Sequence, residues 1–253
     1  MSGPPFTAAF YGDDLTGSTD ALAQFHRAGL RGLLVTSPEA IGLGAGYDVI
    51  GIAGISRSLP TARMADELLP AFRALREMST TVVQYKVCST ADSSPAVGSL
   101  GRAIELGREV FGEVPVPVLI AQPDLGRYTA FGNHFAAEGE EIYRLYRQPT
   151  MSRHPSTPVT EGDLRRHIGA QTDLPVASVD VTAYDSDPLA RYRTVTADDP
   201  GAIVFDAMDN THLRAVGEVI LAAAPRRPAF VLGAGGLSWS LGTALAGTRT
   251  GSP

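Results

Sequence analysis

Short runs of β-branched and aromatic residues recur along the chain at 6–11, 32–36, 48–53, 81–86, 116–121, 176–179, 202–206 and 229–232. Between them lie longer stretches whose apolar residues return every three or four positions, at 18–28, 61–76, 96–111, 161–169, 188–196, 211–224 and 236–246. The first pattern is that of buried strands and the second that of helices with one apolar face. Their alternation predicts an α/β fold: a mainly parallel sheet covered by helices on both faces. Local signals add start points. Thr160 with Asp163 reads as a capping box, and Ser93, Ser94 and Pro95 as the opening of a helix near 95.

The stretch 124–159 breaks this rhythm. Its aromatics are scattered, Gly126, Gly132 and Gly139 interrupt it, and Pro149, Pro155 and Pro158 crowd its end. An irregular insertion made of a hairpin and a long ordered loop fits it better than another strand–helix unit, and loops of that length in compact domains tend to be functional. A disordered tail is expected at 247–253.

Composition narrows the function. The 253 residues suffice for one large α/β domain or two small ones. A formal charge of −6 argues against a phosphate-tracking surface, so no nucleic acid is expected as a partner. A single cysteine, Cys88, cannot form an intrachain disulfide. No leader pattern and no apolar run near the length of a bilayer span is visible, which makes a cytoplasmic protein without membrane attachment the expectation.

Candidate chemistry gathers where the strands end, on one edge of the expected sheet. Asp13 and Asp14 follow the first apolar run and precede Leu15-Thr16-Gly17-Ser18. Adjacent carboxylates on a strand-to-helix turn can accept substrate hydroxyls or a metal, act as a base with one pKa pushed up by the other, or simply cap the helix. Arg57 follows the third run, where its guanidinium could fork onto a carboxylate or phosphate or form a surface ion pair. Lys86 ends the fourth run, a cation suited to an anionic ligand. Cys88 reads as a small buried hydrophobe rather than a nucleophile. Gln122, Asp124 and Asp206 end later runs. The turn Gly233-Ala234-Gly235-Gly236 could approach a phosphate, but it has neither P-loop nor dinucleotide spacing. The five histidines show no metal-ligand spacing and no metal site is expected; no nucleophile elbow is present.

In order, Gly12-Asp13-Asp14-Leu15-Thr16-Gly17, Ser56-Arg57-Ser58, Tyr85-Lys86-Val87-Cys88-Ser89-Thr90, Pro123 to Gly132, His154-Pro155-Ser156-Thr157-Pro158, Asp206-Ala207 and Gly233 to Gly236 resemble the N-terminal domain of the four-carbon acid sugar kinase family. The resemblance covers about 6–246. It implies an ATP-dependent kinase acting on a terminal hydroxyl of a threonate, erythronate or 3-oxo-tetronate, with this domain binding the sugar acid. It further implies that Asp13 and Asp14 hold substrate hydroxyls, one of them as base. By the same resemblance Arg57 and Lys86 bind the carboxylate or the transferring phosphoryl group, Thr16, Ser89, Thr90 and Arg127 complete the pocket, and Gly233, Gly235 and Gly236 face the nucleotide.

Two departures stand out. Where many members have Leu-Arg-Gly-Asn, this chain has Ala91-Asp92-Ser93-Ser94-Pro95, so an arginine near the substrate is missing. Members usually have a serine within the glycine turn, whereas Ala234-Gly235-Gly236 offers no hydroxyl to a phosphate. The resemblance also implies a C-terminal nucleotide-binding domain beyond 1–246, in cis or as a separate chain. On that reading ATP and Mg²⁺ belong to the complete enzyme, neither binds this chain tightly alone, and activity without the second domain is poor or nil. A homodimer is compatible with it. The alternative function is a non-catalytic sugar-acid binding or regulatory protein derived from the kinases.

Overall fold

The computed structural model describes residues 7–78, 80–224 and 228–250. Eight strands form one sheet: β1 (Ala8–Gly12), β2 (Gly32–Val35), β3 (Val49–Ala53), β4 (Val82–Lys86), β5 (Val116–Leu119), β9 (Val176–Val179), β10 (Ala202–Phe205) and β11 (Ala229–Gly233). Their order is β2-β3-β1-β4-β11-β5-β10-β9, and each neighbouring pair is parallel. The expected doubly covered parallel sheet is therefore what the chain forms. Phe6, the first residue of the expected first run, lies outside the described residues.

Helices α1 (Leu15–Arg27), α5 (Pro188–Thr196), α6 (Asn210–Ala223) and α7 (Gly235–Thr250) cover one face, and α2 (Met64–Glu77), α3 (Leu100–Phe111) and α4 (Leu164–Gly169) the other. The α2–α3 side is centred on aromatic rings: Phe72 meets Tyr85, Phe111 and Phe230 at centroid distances of 5.9, 5.9 and 5.1 Å. On the opposite side Phe10 stacks on Phe25 and Tyr192 on Phe205. Removing a fully buried ring such as Phe72 should cost about 3–5 kcal/mol.

Register aligns the strand ends. Gly12 of β1 pairs with Ala53 and with Lys86, and Gly233 of β11 pairs with Lys86. The residues after β1, β3, β4 and β11 consequently emerge level along one edge. The helix after β1 goes to one face and those after β3 and β4 to the other, which opens a crevice beside the end of β1, as in other open α/β sheets.

The irregular stretch becomes a three-stranded antiparallel sheet, β6 (Arg127–Ala130), β7 (Asn133–Glu138) and β8 (Glu141–Arg144), followed by 3₁₀ turns and a loop with its own small core of Ala136, Leu145, Met151 and Val159. Buried Asp206, just past β10, ties this sheet to the main one. Its carboxylate accepts from the backbone N–H groups of Phe131, Gly132 and Val181.

Three local expectations are corrected. The cap of α4 is Asp163, which accepts from the Arg165 N–H at 2.9 Å and also pairs with its guanidinium, so the helix starts later than a box opened by Thr160 would place it. The cap of α3 is Ser99, accepting from the Arg102 N–H at 3.0 Å; the Ser93 hydroxyl is instead bonded to His167, and that of Ser94 closes a local turn. Residues 247–250, expected in a disordered tail, continue α7, which packs along α1 and α6; residues 251–253 lie outside the described part. Among the described residues, no helix is long and apolar enough to cross a membrane.

Candidate functional site

The end of β1 is pinned from both sides. The Asp13 N–H donates to the Lys86 carbonyl at 2.9 Å and its carbonyl accepts from the Arg57 N–H at 3.0 Å, while the Gly54 N–H donates to Gly12 at 2.9 Å. These bonds prolong the ladders of β1 with β4 and β3 by a residue, and they bring Arg57, in a 3₁₀ turn over Ser56–Ser58, against the two acids. The Arg57 guanidinium then forks: Nε and Nη2 donate to Asp13 at 3.0 and 2.7 Å, and Nη1 donates to Asp14 at 3.0 Å. Asp14 has a second task as N-cap of α1, its Oδ1 accepting from the Gly17 N–H at 2.7 Å.

Asp13 is buried, with 2% of its surface exposed. Burial pushes its carboxyl above the usual range, with Arg57 and Lys86 pulling against that and neighbouring Asp14 adding to it. For Arg57, burial acts downward, but the bonds to Asp13 hold the guanidinium above its ordinary value. Asp14 is the more accessible partner, its side chain 30% exposed.

Gly98 completes the support. Its φ of +59° is one that glycine adopts without strain, and a Cβ there would sit 2.4 Å from the Arg57 carbonyl oxygen. The close approach presses the 94–98 loop onto the turn carrying Arg57.

Lys86 lies behind this cluster rather than in the open. Only 2% exposed, its Nζ donates to the Val87 carbonyl at 2.9 Å and faces the Asp20 carboxylate at 3.3 Å. Asp20, on the second turn of α1, also accepts from Gln122 Nε2 at 3.2 Å. Sequence reasoning did not single out Asp20, because a polar residue on a helix is ordinarily a solvated one. The same side chains fill the glycine turn: a Cβ on Gly235 would lie 2.2 Å from Asp20 Oδ2, one on Gly236 2.0 Å from the Ala121 carbonyl, and one on Gly233 2.2 Å from that of Leu119. These glycines let α7 and β11 approach their neighbours. A carboxylate stands where a phosphate at Gly235 would go, so the described residues do not by themselves form a fitting nucleotide cradle.

In front of the acids opens a cleft of about 390 Å³, within the range of small-molecule sites. Asp13, Asp14 and Arg57 line it from the strand ends, and Asp92, His154, Ser156 and Thr157 line it from two loops. The latter four were not assigned roles from sequence. In the sequence Asp92 marks a departure within its motif, and the other three belong to the motif His154 to Pro158 in the long loop after the hairpin.

The remaining candidates are not among the residues that line the cleft. The Thr90 hydroxyl donates to Asp92 Oδ1 at 2.6 Å. The Ser89 carbonyl accepts from Nε2 of buried His134 at 2.8 Å, and the Thr129 hydroxyl faces Nδ1 at 2.9 Å. Exposed Thr16 accepts at its carbonyl from Thr19. Arg127 donates to the carbonyls of Leu125 and Ala137 at 2.7 and 3.2 Å, away from the cleft lining. Burial raises the Cys88 thiol, which suits an unreactive, protonated group.

A family model described as "Sugar-binding N-terminal domain" matches residues 8–241. The chain belongs to this family. It is 41% identical over 216 residues to a 3-oxo-isoapionate kinase of Paraburkholderia graminis, covering 84% of this chain and 46% of that one. To a 3-oxo-tetronate kinase of Methylobacterium radiotolerans it is 32% identical over 244 residues, covering 95% and 55%. This sugar-binding domain thus spans about half the length of the curated relatives it matches. Among solved structures, a Haemophilus influenzae protein of family DUF1537 superposes with a TM-score of 0.81 at 25% identity, covering 94% of this chain and 56% of that one. A Bordetella bronchiseptica DUF1537 domain, described as a domain-swapped dimer with bound citrate, gives 0.78 at 25% identity, covering 99% and 60%.

Proposed function

We propose that the cleft beside β1 is the acceptor site of a sugar-acid kinase and binds a small polyhydroxylated acid of the 3-oxo-tetronate or tetronate type. The observation that carries this reading is the pair of carboxylates, Asp13 and Asp14, fixed side by side by one guanidinium at the mouth of a cleft of about 390 Å³. Carboxylates accept, and sugar hydroxyls are donors. The more exposed Asp14 takes a ligand hydroxyl directly. Asp13, whose carboxyl burial pushes up, is the better placed to receive a proton from it. Arg57 sets the spacing of the two acids, and Lys86 with Asp20 holds the α1 turn from below.

The names of the relatives and the citrate in the Bordetella structure support an acid as ligand. Phosphoryl transfer requires a donor held in line and its charge neutralised, commonly with Mg²⁺. Because the glycine turn is filled by Asp20, Gln122 and backbone, that donor site is assigned to a nucleotide-binding part outside this chain, in cis or on a separate chain. Exposed Leu15 and Ile55, at the rim of the cleft, suit such a covering part. The dimeric Bordetella neighbour supports a homodimer, which sedimentation velocity would test.

Titration calorimetry with threonate, erythronate and a 3-oxo-tetronate tests the binding claim. At least one should bind with saturable 1:1 stoichiometry. Asp14→Asn, which keeps the helix cap but loses the charge, should weaken it about tenfold or more. Equal affinity in the variant would sink the assignment.

A further inference from the structure

The loop motif His154-Pro155-Ser156-Thr157-Pro158 has no role in the reading above, yet its His154, Ser156 and Thr157 line the same cleft as Asp13 and Asp14. The cleft poses a question of charge. The cleft lining includes three carboxylates, Asp13, Asp14 and Asp92, and one guanidinium, Arg57. Arg57 is already engaged through Nε, Nη1 and Nη2 by two of the acids. A ligand carboxylate placed at Arg57 would meet Asp13 and Asp14 as well, and like charges at that range repel. The acid end of a polyhydroxylated acid needs a donor elsewhere in the cleft.

His154 supplies it. Its Nδ1 faces two groups of Thr157, the backbone N–H at 3.1 Å and the hydroxyl at 2.9 Å. A backbone N–H can only donate, so Nδ1 is the bare, accepting nitrogen. In the neutral ring the proton then sits on Nε2. Turning the ring over would put a carbon against the Thr157 N–H, which fixes the orientation as well as the tautomer. Nε2–H has no hydrogen-bond partner among the described residues and belongs to a ring that borders the cleft. Exposed Ser156 adds a hydroxyl beside it.

We infer that His154 is the residue that reads the acid end of the ligand, its Nε2–H donating to a carboxylate oxygen while Asp13 and Asp14 accept the ligand hydroxyls. The inference rests on the cleft being a polyhydroxylated-acid site. It makes the long loop the source of selectivity for an acid over the corresponding polyol, and it assigns Thr157 the positioning of the ring.

The test compares threonate with threitol, the same carbon chain with the carboxylate reduced to an alcohol, by titration calorimetry on the 253-residue chain. Wild type should prefer threonate by about tenfold or more. His154→Ala should bring the two ligands to within about threefold by weakening threonate alone. His154→Gln, whose amide can place a donor near the position of Nε2, should restore part of the preference. Thr157→Val, which removes one of the two groups orienting the ring, should fall between wild type and the alanine variant. A wild-type preference that survives in His154→Ala, or no preference in wild type although both ligands bind, overturns the role of His154 and leaves the cleft assignment standing. Failure of wild type to bind either ligand overturns both.

Discussion

Replacing Arg57 by methionine should expose how much of this edge of the sheet rests on one guanidinium. The side chain of Asp13 is 3% exposed and that of Arg57 23%. Three charge-assisted bonds, of 3.0, 2.7 and 3.0 Å, join Arg57 to the two acids. Asp14 can recover water when they are lost, but Asp13 cannot. Removing one member of a buried pair costs about 3–5 kcal/mol, because the other charge is left without compensation. We expect Arg57→Met to fall in that range at pH 7 by urea unfolding, with an unchanged m-value. The pH dependence follows from Asp13. Burial already raises its folded carboxyl above the unfolded value, and loss of the cation raises it further. A raised folded pKa means that the native state binds the extra proton, so stability is gained as pH falls and lost as it rises. The gap between variant and wild type should therefore narrow from pH 8 to pH 5. Asp13→Asn in the Arg57→Met background should regain about 1–2 kcal/mol, since it removes the stranded charge. A loss below about 1 kcal/mol in the single variant, or a double variant no more stable than the single one, would refute the account of this cluster.

Burial holds the pKa of His134 down at about 4, so its protonation favours the unfolded chain as pH falls from about 6.5 toward 4. Stability supplied by keeping this ring neutral is complete above that window. About 2 kcal/mol of it should be gone at pH 5, and His134→Asn should abolish that share of the slope in denaturation curves at pH 7 and 5. Gly98→Ala forces a left-handed conformation on a side chain and a Cβ to 2.4 Å from the Arg57 carbonyl, for an expected loss of about 2–4 kcal/mol in urea midpoint measurements. Asp206→Ala leaves the Phe131, Gly132 and Val181 N–H groups without their buried acceptor; limited proteolysis should then cut first near the β6–β7 turn, whereas wild type resists there.

Much of the framework was legible because its signal is strong. Eight apolar runs and their helical partners follow from periodicity alone, and β9 and α5 span the expected residues. Local starts were less legible where two candidate caps stand close together. Thr160 and Asp163 both suit a helix N-terminus, and long-range bonds of the His134 N–H to the Gly162 carbonyl and of the Leu164 N–H to the Gly132 carbonyl hold the chain on either side of Asp163. Asp13, Asp14 and Arg57 could be named from their positions at strand ends, but their mutual contact needs the parallel register of β1 and β3. Lys86 was expected as an open cation and is buried, because a side chain's direction at the last residue of a strand depends on which helix covers it. Asp20, Asp92 and His154 carried no periodic signal. Their meaning arises from neighbours tens of residues away, as with Asp20 and Gln122.

The central claim is that the cleft formed by the β1 edge and the 154–157 loop holds a polyhydroxylated acid by its hydroxyls. A crystal structure of this chain grown with threonate or a 3-oxo-tetronate tests it most directly. The account predicts a ligand hydroxyl within about 3.2 Å of an Asp13 or Asp14 carboxylate oxygen, with the carboxylate on the His154 side. A ligand bound elsewhere, or bound in the cleft with its carboxylate against Asp13 and Asp14, would contradict it.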